Sequence, residues 1–177
     1  MRVIAGHLGG RQFDSPKSLK THPMSDKARG ALFNILGDIQ GLSVLDPFAG
    51  TGALAFEAIS RGALAAVAIE QDRPAQRIIE QNIRALGLSQ SAKLVKASAN
   101  AWLQTNPDAY FDLVLCDPPY NDLQPNLIAC LSTHITANGV FVLSWPDGTE
   151  LPPLDNLELL EHRSYGDATL AFYKRPA

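Results

Sequence analysis

A chain of 177 residues, 46% of them apolar and 19% charged, can bury one substantial core and is short for two. No run approaches the roughly 20 uninterrupted apolar residues of a membrane span, and the opening Met1-Arg-Val-Ile-Ala-Gly6 is not an apolar signal segment, so no membrane association and a cytoplasmic location are expected. The net charge of −3 is no signature of a nucleic-acid binder, and Cys116 and Cys130 are too few for a disulfide framework and lack metal-ligand spacing; both read as buried thiols, and no metal is expected.

The charge is unevenly placed. Residues 1–36 carry six Lys/Arg (Arg2, Arg11, Lys17, Lys20, Lys27, Arg29) against two acids (Asp14, Asp26), a balance of +4, while the remainder carries nine against sixteen, −7. A basic arm on an acidic body can engage phosphates, although an ordinary solvated tail gives the same charge pattern.

In chain order, residues 3–21 read as a small hairpin turning at Gly9-Gly10. Residues 25–36 read as a helix with Ser25 as N-cap, Ala28, Leu32, Ile35 and Leu36 on one face, Lys27 and Arg29 on the polar side, and Gly37 as the stop. Seven apolar, β-rich runs follow at 43–46, 65–70, 92–97, 111–117, 139–145, 157–163 and 168–174. Helices fall between them from Thr51 to Gly62, from Pro74 to Gly87, and from about Leu123 to near Asn138-Gly139. Strands alternating with helices of this length predict a parallel sheet with right-handed crossovers. The last two strands are joined only by Tyr165-Gly166-Asp167, too short for a crossover, so that pair must be antiparallel. The expected fold is therefore α/β: a seven-stranded, mostly parallel, Rossmann-like sheet with an antiparallel last strand, the architecture of class I S-adenosylmethionine-dependent methyltransferases.

The first strand runs into Asp46-Pro47-Phe48-Ala49-Gly50-Thr51-Gly52 and then a helix, with Glu70 closing the second strand. Glycines here let the backbone approach a ligand at the carboxyl edge of the sheet. Gly50-x-Gly52-x-x-Ala55 also satisfies the dinucleotide pattern, with Glu70 placed for a ribose hydroxyl, so this loop alone does not choose the cofactor. Asp46 favours S-adenosylmethionine, because a carboxylate just ahead of the turn repels a pyrophosphate and suits an ammonium group.

The fourth strand delivers Asp117-Pro118-Pro119-Tyr120 to the same edge. Two prolines end the strand and stiffen the loop. An exocyclic base amine is a weak nucleophile because its lone pair is delocalised into the ring. Hydrogen bonds from its two N–H groups to the Asp117 carboxylate and the Pro118 carbonyl would draw the nitrogen towards tetrahedral geometry and aim the lone pair at a methyl donor. Tyr120 would stack on the base, an interaction worth roughly 1–3 kcal/mol. The competing reading is a Pro-Pro turn that happens to lie between Asp and Tyr.

These residues give the chain a resemblance, over almost its whole length, to the bacterial RsmD family of 16S ribosomal RNA guanine-N2 methyltransferases. It rests on Arg2-Val-Ile-Ala-Gly6-x-x-x-Gly10-Arg11, the helix motif Pro23-Met-Ser25-Asp26-Lys-Ala-Arg29-x-Ala31-Leu-Phe33-Asn34-Ile-Leu, the glycine loop, Ser60-Arg61-Gly62-Ala, Asp117-Pro-Pro-Tyr120 and Tyr165-Gly166-Asp167. The resemblance implies S-adenosylmethionine as the only cofactor, no metal, a monomer, and a guanine of 16S RNA in the small (30S) ribosomal subunit as target. It implies an RNA-facing extension over residues 1–40 and a catalytic domain over 41–177, with Asp117, Pro118, Pro119 and Tyr120 catalytic. Asp46, Pro47, Phe48, Ala49, Gly50, Thr51, Gly52, Glu70, Gln71, Ser98, Ala99 and Asp117 are the expected cofactor residues, and Arg11, His22, Lys27 and Arg29 the expected RNA contacts. Two positions depart from the family pattern: His22 stands where an arginine is usual, and Ser98 where an aspartate usually meets the adenine amine, so Ser98 or the backbone of Ala99 is the expected substitute.

Two other functions fit parts of this sequence. A DNA adenine-N6 or cytosine-N4 methyltransferase shares the Asp-Pro-Pro-Tyr motif but usually needs a sizeable target-recognition region, and only about 40 residues lie outside the catalytic sheet. A catalytically silent RNA-binding assembly factor would have no need of Gly50, Gly52, Asp117 and Tyr120. His7, His134 and His162 have no evident role, and Asp14, Asp112 and Glu57 read as caps or surface charges.

Overall fold

The computed structural model describes residues 1–17 and 23–177; His22 and the end of the expected 3–21 hairpin lie outside the described residues. Helix α1 (Asp26–Leu36) begins at Ser25, whose hydroxyl accepts from the Ala28 N–H at 3.1 Å, and stops at Gly37. Strand β1 (Ser43–Asp46) leads into α2 (Ala53–Ser60), then β2 (Ala65–Glu70), α3 (Arg73–Ala85) and β3 (Ala92–Lys96). An unexpected short helix, α4 (Ala99–Thr105), precedes β4 (Phe111–Cys116). Helix α5 (Pro125–Leu131), β5 (Ile135–Pro146), β6 (Glu158–Tyr165) and β7 (Ala168–Lys174) complete the chain.

The sheet order is β3-β2-β1-β4-β5-β7-β6. Strands β1 to β5 are parallel, and β7 runs antiparallel between β5 and β6. This is the class I methyltransferase architecture. The chain winds outwards from β1 to β3 and then returns to place β4 beside β1, so the carboxyl ends of β1 and β4 flank the switch point where an open α/β sheet leaves a crevice.

Alternation along the central strands divides the core into two layers. On one face Val44, Leu113, Leu115 and Val142 pack with α1, α2, α3 and Val3, Leu8 and Phe13 of the N-terminal segment. On the other, Leu45, Val114, Phe141 and Leu143 pack with Trp102 of α4 and Ile128 and Leu131 of α5. Every residue of α2 is buried, because the sheet covers one side and the N-terminal segment the other. Among the described residues no helix is long and apolar enough to cross a membrane.

Several sequence expectations are corrected. The N-terminal hairpin is present but short: residues 1–3 pair with 11–13, the Val3 N–H donating to the Arg11 carbonyl and Met1 and Phe13 each donating to the other's carbonyl, and its turn spans residues 4–10 rather than Gly9-Gly10 alone, because residues 4–8 turn aside to bond α2. Gly6 permits that approach: at φ +80° a Cβ there would lie 1.8 Å from the Ser60 carbonyl oxygen. The Asn138-Gly139 signal marks no helix end. Helix α5 already stops at Leu131, followed by a 3-10 turn, and Asn138, at φ 63°, lies in an irregularity within β5 where the register with β4 shifts. Cys116 is buried but Cys130 is exposed, since Ile128 and Leu131 occupy the inward face of α5.

Glu57 is no surface charge. It is fully buried in α2, accepting from the Ile4 and Ala5 N–H groups at 2.8 and 3.0 Å and from Arg61 Nε at 2.7 Å. Arg29 likewise leaves the polar side of α1. Only 1% exposed, its guanidinium lies 3.9 Å from the Glu57 carboxylate, with Nη2 donating to the Arg2 carbonyl and to Asp26. A buried carboxylate needs a buried countercharge, which draws Arg29 inwards and places Phe33 in the core, while Ile35 and Leu36 are only half-buried. Asp112 is part-buried and ties β1 to its neighbours, accepting from the Ser43 N–H and hydroxyl and from Thr136.

Candidate active site

Two cavities open at the carboxyl edge of the sheet, of about 420 and 670 Å³. Phe48, Gly50, Asp117, Pro119 and Asn121 line both. The glycine loop after β1 and the Asp-Pro-Pro-Tyr loop after β4 therefore form a common wall. This juxtaposition follows from topology: β1 and β4 are adjacent and parallel, with Leu45 beside Val114, so the loops after them emerge side by side.

The larger cavity takes Pro47, Glu70, Gln71, Ser98 and Ala99 from the expected cofactor set. Glu70 Oε2 accepts from the Gly50 N–H at 2.8 Å and Oε1 from the Asp72 N–H at 2.7 Å, so one carboxylate braces both the glycine loop and the start of α3. Burial raises its pKa, and these two N–H bonds pull the other way. Ser98 caps α4, its hydroxyl accepting from the Ala101 N–H at 3.1 Å. That capping pattern, followed by Trp102 anchored in the core, is a signal that could have revealed α4, which the sequence reading missed.

The smaller cavity takes Ala49, Thr51, Pro118 and Tyr120. The Tyr120 hydroxyl shares a 2.7 Å hydrogen bond with Ser144 on β5, which fixes the ring. Burial pushes the Tyr120 hydroxyl up to about 12. Burial, with the negative charge of Asp167 adding to it, pushes the Asp117 carboxyl up to about 6, while the Ser144 hydroxyl pulls it down. The cavity also receives Met24, Ser25, Ala28 and Arg29 from the α1 region and Tyr165, Asp167 and Ala168 from the β6–β7 turn. The expected site residues omitted Asn121, which follows Tyr120 in the same loop just past the motif, and Ser144 and Asp167, which reach the cavity from β5 and the β6–β7 turn.

The remaining expected residues are placed differently. Gly52 lines neither cavity; its φ of +81° turns the chain into α2, and a Cβ would meet the Phe56 ring at 2.7 Å. Gly50 is the open position, at φ +56° with nothing nearer than 3.9 Å to a Cβ, and its bare backbone faces both cavities. Asp46 also lines neither cavity. It is fully buried beneath the loop, with neither carboxylate oxygen hydrogen-bonded within the described residues. Burial first, then the Asp117 charge, pushes its carboxyl well above the ordinary range. Arg11 is exposed and donates to the Ala85 carbonyl at the end of α3, while Lys27 is exposed on α1.

These residues fit S-adenosylmethionine as the cofactor. An uncompensated buried acid lies under the loop, a side-chain-free glycine lies at the crossing of the two cavities, and an acid at the end of β2 lines the larger one. Acids held with raised pKa values gain a countercharge when a cationic ligand binds, which favours their ionised form, whereas a pyrophosphate would oppose ionisation further.

Comparison with known proteins agrees. Ribosomal RNA small subunit methyltransferase D of Haemophilus influenzae is 28% identical over 98% of this chain and 93% of its own length. The protein of the same name from Escherichia coli strain K12 is 36% identical over 68% of this chain and 60% of its own length. The solved structure of yhhF from Escherichia coli superposes with a TM-score of 0.89 at 29% identity, covering 100% of this chain and 98% of that one. The model of the family described as conserved hypothetical protein 95 matches residues 1–174. The chain belongs to that family, the RsmD family of methyltransferases that its motifs resemble.

Proposed function

We propose that this protein transfers a methyl group from S-adenosylmethionine to the exocyclic N2 amine of a guanine in 16S ribosomal RNA of the small subunit. The observation that carries the reading is the common wall: Gly50 and Asp117 border the same two cavities. When bound, S-adenosylmethionine supplies a methyl group on a positively charged sulfur. The relatives named for ribosomal RNA small subunit methylation supply the substrate class.

In this reading Glu70 accepts from the ribose hydroxyls, Asp46 offsets the cofactor's positive charge from below the loop, and the larger cavity holds the adenosine end. Asp117 and the Pro118 carbonyl accept the two amine hydrogens and orient the nitrogen. Pro118 and Pro119 keep that carbonyl fixed, and Tyr120, held by Ser144, covers the base face. Asp117 need not remove a proton before transfer, because the methylated ammonium product is strongly acidic and loses it afterwards. Residues 1–40 face the RNA, with exposed Lys27 and Arg11 as phosphate contacts, and 41–177 carry the chemistry. Arg29 is excluded from the backbone contacts by its burial.

The test is incubation with labelled S-adenosylmethionine and small subunits from cells lacking the activity, followed by digestion to nucleosides. N2-methylguanine is the expected product. Label in N6-methyladenine or N4-methylcytosine, or none at all, would refute the guanine reading, and Asp117→Ala should abolish transfer.

A further inference from the structure

We propose that Asp167, on the turn between β6 and β7, accepts the N1–H of the target base and thereby selects guanine over adenine and cytosine. The inference rests on the guanine-N2 reading above and adds the residue that sets its specificity. Asp117 and Pro118 by themselves hold any planar amine, so the choice of base needs another group in the same cavity.

Tyr165, Asp167 and Ala168 line the 420 Å³ cavity together with Asp117, Pro118 and Tyr120. The turn is held on three sides. The Asp147 N–H donates to the Asp167 carbonyl at 2.8 Å, and Asp147 Oδ1 accepts from Ser164 at 2.6 Å and Thr169 at 2.7 Å, one residue on each flanking strand. Gly166, at φ +65°, supplies the left-handed corner. The Asp167 backbone is thus fixed, whereas its carboxylate makes no hydrogen bond or ion pair among the described residues. Its charge is nevertheless felt at the site, where it opposes ionisation of both Asp117 and Tyr120.

The chemistry of the three bases does the rest. Beside its N2 amine guanine presents N1–H, a donor. Beside their amines adenine presents the N1 lone pair and cytosine the N3 lone pair, both acceptors. A carboxylate at this edge gains a charge-assisted hydrogen bond from guanine and repels the other two.

The test uses RNA with 2-aminopurine at the methylated position, located by mass spectrometry of ribonuclease fragments; this base keeps the N2 amine and lacks N1–H. The unaltered protein should methylate guanine ~10–100-fold faster, in kcat/KM, than 2-aminopurine, the range for a hydrogen bond to a charged group. In Asp167→Ala the guanine rate should fall by about that factor and the preference should collapse towards one, with cofactor affinity by calorimetry unchanged. Asp167→Asn, of nearly the same shape, should shift the ratio towards 2-aminopurine because its amide can donate. An undiminished guanine preference in both variants, or none in the unaltered protein, overturns the role of Asp167 alone. Absence of N2-methylguanine from the unaltered protein overturns the parent reading as well.

Discussion

Lowering the pH should switch off transfer through one carboxylate. The form of Asp117 that accepts the amine hydrogens is the anion, and burial together with the Asp167 charge holds its pKa at about 6, well above the ordinary 3.8. Proton uptake therefore reaches into the range where a solvent-exposed aspartate would remain fully ionised. With a midpoint at about 6, roughly nine-tenths of the protein carries the anion at pH 7 and roughly one-tenth at pH 5, so kcat/KM should fall about tenfold between them. Asp117→Asn should lower transfer by ~10²–10³-fold and leave a flat acidic side. The assay is single-turnover transfer of labelled methyl to RNA from about pH 5 to about pH 8.5, with RNA affinity measured at each pH by filter binding. An independent readout is the carbon resonance of the Asp117 carboxyl in the cofactor-free protein. A rate constant down to pH 5, or an acidic limb that persists in Asp117→Asn, would refute the assignment.

Ser144→Ala removes both the partner of Tyr120 and the hydroxyl that pulls the Asp117 pKa down; the rate should drop ~3–10-fold and the acidic limb should move to higher pH, and a limb that moves lower would contradict the assignment. The buried, unpaired Asp46 favours the protonated form in the folded state, so it contributes stability at low pH that is lost as pH rises through its raised pKa. Asp46→Asn should therefore raise Tm of the cofactor-free protein at neutral pH, the gain closing on acidification, while weakening cofactor binding in calorimetry. Glu57→Ala strips Arg29 of its buried countercharge and leaves the Ile4 and Ala5 N–H groups unpaired, which should cost about 3–5 kcal/mol in urea unfolding. Lys27→Ala should weaken RNA binding in filter assays and reduce the salt slope by about one; an unchanged slope would remove Lys27 from the interface.

The order of the strands and of α1, α2 and α3 was legible because it depends on local pattern, whereas α4 was missed and α5 was drawn too long. Alternating apolar runs, the Ser25 cap, the Gly37 stop and the three-residue turn before β7 each act within a few positions, and the structure keeps all of them. The motif pair was legible for a related reason: glycines after one strand and prolines after another report backbone geometry required at each strand end. The shared edge then followed from βαβ handedness. Tertiary structure decided what depends on partners distant in sequence. Glu57 and Arg29 look like solvated helix charges until Ile4, Ala5 and Arg61 surround the first and the first draws in the second, 3.9 Å away. Ser144 belongs to no motif, and Asp167 belongs to the Tyr165-Gly166-Asp167 motif, which by itself assigns it no chemical role; β5 and the β6–β7 turn bring them to Asp117 and Tyr120 from 24 or more residues away in sequence. Cys130 faces outwards because its neighbours Ile128 and Leu131 claim the inward side of α5. By itself the sequence determined the order of the strands and the two loops at one sheet edge, because backbone preferences act locally; only packing decided which charges are buried and which distant side chains close the cavity, because desolvation depends on everything that surrounds a group.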